Sequence, residues 1–166
     1  MRLIPLWEAD QQKAYELYNS FPACENGFEN DGFGLTQEEF AAFVRSKEES
    51  SRGQGLPQGY VPDSTFVLEN QEGEYVGIFK LRHCLNEALR KGAGHIGYGI
   101  RKEFRGRGCA SAGLALALEE ARKIVPEEEI YLSVNKDNPA SLRVQLKNGA
   151  AIHHENETEF FTRIPK

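Results

Sequence analysis

Arg101, Lys102, Arg105 and Arg107 crowd one short stretch, with Gly106 and Gly108 among them and only Glu103 to offset the charge. Guanidinium and ammonium groups bind phosphate through charge-assisted hydrogen bonds, and glycines let backbone N–H groups come close to the same anion. The chemistry implied is capture of a small phosphorylated ligand. Groups able to move protons lie elsewhere. His95, with an ordinary histidine pKa of about 6.5, suits removal of an ammonium proton. Glu25, Glu29 and Asp31 sit in the polar, aromatic run FPACENGFENDGFGL and can act as bases, directly or through water, or attract a cationic substrate. Each has a plainer reading as well: a strand histidine is often a bonded core residue, and a loop acid is often solvated. Cys24, Cys84 and Cys109 are odd in number and lack metal-type spacing, so neither a disulfide framework nor a zinc site is expected.

The elements around the basic turn tell what it serves. His95 to Ile100 reads as a strand interrupted by Gly97 and Gly99, a pattern that marks close approach of a ligand to backbone. If His95 shares a face with those glycines, its ring overlooks the space they leave. From Ala110 to Lys123 the residues are strong helix formers with no proline before Pro126, and Cys109 reads as a small packing residue at the start. The helix therefore aims its free N–H groups and positive dipole end into the basic turn. A Walker A loop is excluded, because no Gly-Lys-Ser/Thr follows a glycine at the required spacing. A dinucleotide fingerprint is poorly matched: Ser111 stands at the third glycine position, and no acidic residue ends the strand Ile130 to Val134. A plain basic helix start remains an alternative.

At 166 residues, 40% of them hydrophobic, the chain is long enough for one domain with a real core, taken as residues 1–166. A net charge of −5, with the basic residues gathered in one loop, argues against a nucleic-acid partner and for a small ligand. The start MRLIPLWEAD has no signal-peptide character and no run is long enough to span a membrane, so a cytoplasmic protein is expected. In order, the pattern predicts a strand at Arg2–Trp7, a helix within Glu8–Tyr18, a loop at Phe21–Leu35, and a helix from Gln37 to about Arg52 that starts at the capping box Thr36–Glu39. A hairpin follows, Ser64–Glu69 and Tyr75–Arg82. After the central helix come the strand Glu128–Val134, a helix opened by Asn138-Pro139 and ended by Gly149, and short strands at Ala150–His153 and Glu159–Ile164. This is a mixed α/β chain.

Two blocks resemble the GCN5-related N-acetyltransferase (GNAT) superfamily. Arg105-Gly106-Arg107-Gly108-Cys109-Ala110 fits its acyl-CoA loop at every fixed position, and Asn138, Ser141, Lys147 and Gly149 match a second block within VNKDNPASLRVQLKNGA. The resemblance covers roughly Ser64 to Ile164 and is nearest to uncharacterised bacterial predicted acetyltransferases. It implies a mostly antiparallel sheet of about six to seven strands flanked by helices. It also implies acetyl-CoA as co-substrate, a primary amine of a small molecule or peptide as acceptor, direct attack, and a possible homodimer. By the same resemblance, the residues from Arg105 to Ala110 hold the pyrophosphate, Ile100 supplies the backbone N–H that polarises the thioester carbonyl, Asn138 faces the pantetheine arm and Lys147 reaches a phosphate. As plain structural roles, Asn138 is also a sound N-cap and Lys147 a solvated helix-end lysine. One position departs. The tyrosine that many members place four residues after the Ser/Ala is Gln145 here, which leaves Ser141 or a water to protonate the thiolate. Catalytic candidates are thus His95, Ser141 and Glu25, with Glu29, His83 and Asn86 as candidate substrate contacts. Rival readings are a catalytically silent CoA-binding sensor or interaction domain and a nicotinamide-dependent oxidoreductase.

Overall fold

Apolar residues at a period of two and small residues at a helical period assemble this chain from its middle outward. The computed structural model describes residues 1–166. The elements, in order, are β1 (Arg2–Pro5), α1 (Gln11–Asn19), β2 (Cys24–Glu25), β3 (Phe28–Glu29), α2 (Gln37–Ser51), β4 (Asp63–Glu69), β5 (Tyr75–Arg82), α3 (Glu87–Lys91), β6 (Ile96–Ile100), α4 (Cys109–Ile124), β7 (Glu129–Asn135), α5 (Pro139–Lys147), β8 (Ala151–Glu155) and β9 (Glu159–Pro165). The Thr36–Glu39 capping box is present in full. Asn138 caps α5 by accepting the Ser141 N–H.

The expected sheet is divided. β1, β4, β5 and β6 form one four-stranded antiparallel sheet, and β7, β9 and β8 form a second of three strands. The two meet only at an isolated bridge between Gly94 and Leu132. Beyond it β6 and β7 separate, because β7 has its ladder with β9 and β6 has its ladder with β5. The cleft opens in that fork.

Alternation along β4 and β5 gives the first sheet two apolar faces. Phe66, Leu68, Phe79 and Leu81 face one core with α4, while Val67 and Ile78 face another with α1 and α2. Helix α4 buries Cys109, Gly113, Leu114, Ala117, Leu118 and Ala121. Gly113 lies so close to the sheet that a Cβ there would stand 2.3 Å from Phe79 Cζ. That close seating fixes where the N-terminus of α4 points, and so fixes the mouth of the cleft.

Candidate active site

A cleft of about 760 Å³ runs along the fork, walled by Ile96 to Ile100 on one side and by Ser133 to Asn135 with α5 on the other. One end is the N-terminus of α4. Gly106 and Gly108 have φ of 74° and 81°, and a Cβ on either would meet nothing within 4 Å. The helix has no side-chain cap, its N-cap being Gly108. The N–H groups from Gly106 to Ser111 find no acceptor in the protein, the first bonded one being Ala112 N–H to the Gly108 carbonyl. Unpaired donors in open space at a positive helix end form a phosphate cradle. Arg143 and Lys147 on α5 line the same end, so the residues present fit the diphosphate of CoA.

The side chains expected to add charge there divide. Arg105 lines the cleft, but its guanidinium is taken: Nε donates to the Ile100 carbonyl at 2.9 Å, and Nη1 donates to Glu25 Oε1 at 3.2 Å. Arg107 stands outside the wall with its guanidinium over the Phe104 ring. Ile100, Cys109, Ala110, Asn138, Ser141 and Lys147 all line the cleft. Ile100 pairs with Gly77 in the sheet. Asn138 fills its expected N-cap role, Oδ1 accepting the Ser141 N–H, while Nδ2 has no protein partner.

His95 stands elsewhere, and the expected ring overlooking the cleft is corrected. It is fully buried at the point where the two sheets join. Its own N–H donates to the Tyr131 carbonyl at 2.7 Å, and its ring Nδ1 accepts the Tyr131 N–H at 2.9 Å. An Nδ1 that accepts from a backbone N–H carries no proton, so the neutral ring keeps its hydrogen on Nε2 and donates to Glu127 Oε2 at 3.2 Å. Burial lowers the His95 pKa, and the Glu127 carboxylate opposes that shift. The imidazole thus completes a ladder rung in place of a peptide group and pins the fork at its apex. His83 and Asn86 also lie outside the cleft wall. His83 Nε2 pairs with Ser64 Oγ at 2.8 Å, and Asn86 caps α3 while donating to the Gly59 carbonyl at 2.9 Å. Glu25 and Glu29 do line the cleft. The hydrogen bond from Arg105 lowers the Glu25 pKa, which makes that carboxylate a weaker base.

Tyr98, Lys80 and Arg82 line the cleft without having been expected there. The Tyr98 ring stacks on Phe79 with centroids 5.4 Å apart, and its hydroxyl is 2.8 Å from Ser141 Oγ. Burial raises the Tyr98 pKa against hydrogen bonds from Ser141 and Gln145. Gln145 is locked in place: Nε2 donates to the Ser133 carbonyl and Oε1 accepts from Thr162 Oγ1 at 2.7 Å. The alternation of FKLR was a readable sign of Lys80 and Arg82, since it puts both cations on the face opposite Phe79 and Leu81. The tyrosine carried no sequence signal beyond its place between two glycines.

Known proteins with this arrangement are similar over nearly the whole chain. The family model described as "Acetyltransferase (GNAT) domain" matches residues 1–151. Spermidine N(1)-acetyltransferase of Escherichia coli K12 is 26% identical over 164 residues, which is 97% of this chain and 78% of that protein. Spermidine N-acetyltransferase from Vibrio cholerae, solved in complex with CoA and spermine, superposes with a TM-score of 0.65 at 18% identity, covering 99% of this chain and 94% of the other. The ribosomal-protein-S5-alanine acetyltransferase from Vibrio fischeri gives a TM-score of 0.68 at 18% identity, over 99% and 91% of the two chains. With an uncapped helix end at the mouth of a forked sheet, and a family match across most of its length, this chain belongs to the GNAT acetyltransferases, enzymes that take their acetyl group from acetyl-CoA.

Proposed function

We propose that the fork is where a primary amine attacks the thioester of acetyl-CoA directly, and that Tyr98 with Ser141 supplies the proton the departing sulfur needs. The observation that carries this is the 2.8 Å contact between the Tyr98 hydroxyl and Ser141 Oγ inside the cleft, beside a Gln145 held by the Ser133 carbonyl and Thr162 Oγ1. Relatives that act on spermidine make a small-molecule amine the reasonable acceptor class.

The residues divide the work as follows. Backbone N–H groups from Gly106 to Ser111, with Arg143 and Lys147, bind the diphosphate, and Asn138 Nδ2 is free to donate to the pantetheine amides. The amine nitrogen forms its bond to the carbonyl carbon, the C–S bond breaks, and the nitrogen gives up a proton to water or to Glu29, a carboxylate of the cleft wall that no cation holds. When Ser141 Oγ donates to the Tyr98 oxygen, the phenolic hydrogen has only the long 3.4 Å contact to the Ser141 carbonyl to hold it and is free to turn to the sulfur. Burial holds it above the ordinary value of 10.0, so it is present at neutral pH to meet the thiolate.

The test pairs binding with turnover. Acetyl-CoA at about a hundred times its Kd should raise stability by roughly 2.7 kcal/mol, and amines should release free thiol from it. Tyr98→Phe should keep the binding and lower kcat. Stabilisation by acetyl-CoA without thiol release from any amine would sink the catalytic reading.

A further inference from the structure

The end of the cleft away from the phosphate cradle has an electrostatic character of its own. Lys80 pairs with Gly97 across the β5–β6 ladder, and Arg82 lies two residues beyond it on the same face, about 7 Å farther from the cradle. Gly97 leaves open space on that face, with nothing within 4 Å of a built Cβ. Opposite stands the β2–β3 hairpin, which brings Phe28 and Glu29 to the wall.

The charges there are paired unevenly. Lys80 Nζ donates to the Glu29 carbonyl at 2.6 Å and to Asp31 Oδ2 at 2.9 Å, which ties the hairpin to the sheet. Asp31 also faces Lys47, and Asp63 is taken by Ser50 and Lys47. Glu25 is taken by Arg105. What remains is Arg82, half-buried, with one hydrogen bond from Nη1 to the Gly94 carbonyl and no carboxylate within ion-pair distance. Its unspent N–H groups open toward the cleft, where an oxyanion can accept charge-assisted hydrogen bonds from them. Glu29 remains as the one acid of this wall with no cation on its carboxylate. With Lys80 and Lys47 offset by Asp31 and Asp63, an incoming acceptor meets one cation free of a carboxylate, Arg82, and one carboxylate free of a cation, Glu29.

We propose that the acceptor is a primary amine that itself carries an oxyanion, a carboxylate or a phosphate, with Arg82 binding that anion and Glu29 facing the amine. This rests on the acetyl-transfer reading above and narrows it. Arg82 is a specificity residue that touches the acceptor, so its loss acts on acceptor KM.

The experiment measures kcat/KM for acceptors matched in reach: propylamine, 1,3-diaminopropane, spermidine, β-alanine, 4-aminobutanoate, several α-amino acids and 2-aminoethyl phosphate. Each is also tested for stabilising the enzyme–CoA complex against heat. At least one anionic amine should exceed the diamine and spermidine tenfold or more, the two kinds of oxyanion being told apart by which arm responds. Arg82→Gln should then raise KM for that acceptor by tenfold or more, at least fivefold beyond any rise in KM for propylamine, and acetyl-CoA should stabilise the variant as it does the parent. Preference for spermidine or the diamine overturns the proposal. So does an equal loss for neutral and anionic amines on Arg82→Gln, or failure of every anionic amine both to turn over and to stabilise the CoA complex more than the diamine does. Failure of acetyl-CoA itself to bind would instead remove the reading on which the proposal rests.

Discussion

The two ends of the cleft are built in opposite ways. The cradle at α4 comes from one contiguous segment, Ile100 to Ser111, and works through backbone N–H groups that any sequence would supply once two glycines permit the turn. The acceptor end is assembled from the β2–β3 hairpin, the end of β5 and the start of β6, and works through the side chains of Glu29, Lys80 and Arg82. Backbone recognition is insensitive to side-chain identity but intolerant of any Cβ that blocks it. Side-chain recognition can be retuned one residue at a time. One fold can therefore keep a fixed donor and change its acceptor.

The sharpest way to break this division is Gly108→Asp. Asp tolerates the left-handed conformation better than most residues, and at 81° with open space around Cβ the fold should survive at a cost of about 1–2 kcal/mol. The new carboxylate, however, stands where the diphosphate binds. Affinity for acetyl-CoA should fall by a hundredfold or more, about 2.8 kcal/mol at 1.4 kcal/mol per tenfold. Gly108→Asn, equal in shape and uncharged, should lose far less. Equal losses for the two would make the effect steric and the cradle's charge irrelevant.

Next in size is the apex of the fork. His95→Ala leaves the buried Tyr131 N–H and Glu127 Oε2 without their partner, though Arg90 and the Leu85 N–H still hold Glu127 Oε1, and should cost roughly 2–4 kcal/mol in urea unfolding. In the folded fraction kcat should change little. A kcat loss of a hundredfold with stability intact would restore His95 as a base. The pH dependence follows from the same contacts. Burial lowers the folded-state pKa, so the unfolded chain takes the proton first. Stability from this site is fully present above pH 6.5 and is lost as the pH falls below it, because a proton on Nδ1 would oppose the Tyr131 N–H. His83, lowered by burial as well, adds in the same direction. A melting temperature that rises on acidification from pH 7 to 5 would contradict the assigned tautomer.

A smaller loss is expected from Tyr98→Phe: kcat lower by roughly ten- to a hundredfold, near the low end for general acids because thiolate is a good leaving group. Stability and acetyl-CoA affinity should hold, since the Phe79 stack remains. An unchanged kcat would return the proton to water.

These differences track what could be read from the chain. The cradle was legible because helix-forming residues, glycines and charge all lie within one short segment, and the boundaries of α2, β4, β5 and α5 fell near their caps and turns for the same local reason. His95 was misplaced because the alternation argument was carried one residue past the start of β6 at Ile96, to a position whose N–H and ring are both bonded to Tyr131 of β7. The β2–β3 hairpin was taken as irregular loop, although Asn26-Gly27 is a strong hairpin signal and both residues have the positive φ of such a turn, 51° and 81°. The division into two sheets depends on which strand captures β9, a long-range choice that no local pattern records.

Glu25 joins the two ends, and its replacement should have the smallest effect. Its carboxylate lies on the hairpin of the acceptor end and holds Arg105 of the cradle, with the paired side chains 25% and 40% exposed. Ion pairs so open to water contribute about 0–1 kcal/mol. Glu25→Gln removes one negative charge and frees the Arg105 guanidinium to turn toward the diphosphate, so acetyl-CoA should bind up to about threefold more tightly. The hairpin, still tied by Lys80 to the Glu29 carbonyl and Asp31, should hold the acceptor wall in place, and kcat should stay within threefold. Calorimetric titration with acetyl-CoA and a pH–rate profile of this variant would separate the roles. Tighter binding with an unchanged profile makes Glu25 a clamp on the cradle, whereas a hundredfold fall in kcat with loss of the acidic limb would make it the base and merge the two ends into one catalytic unit.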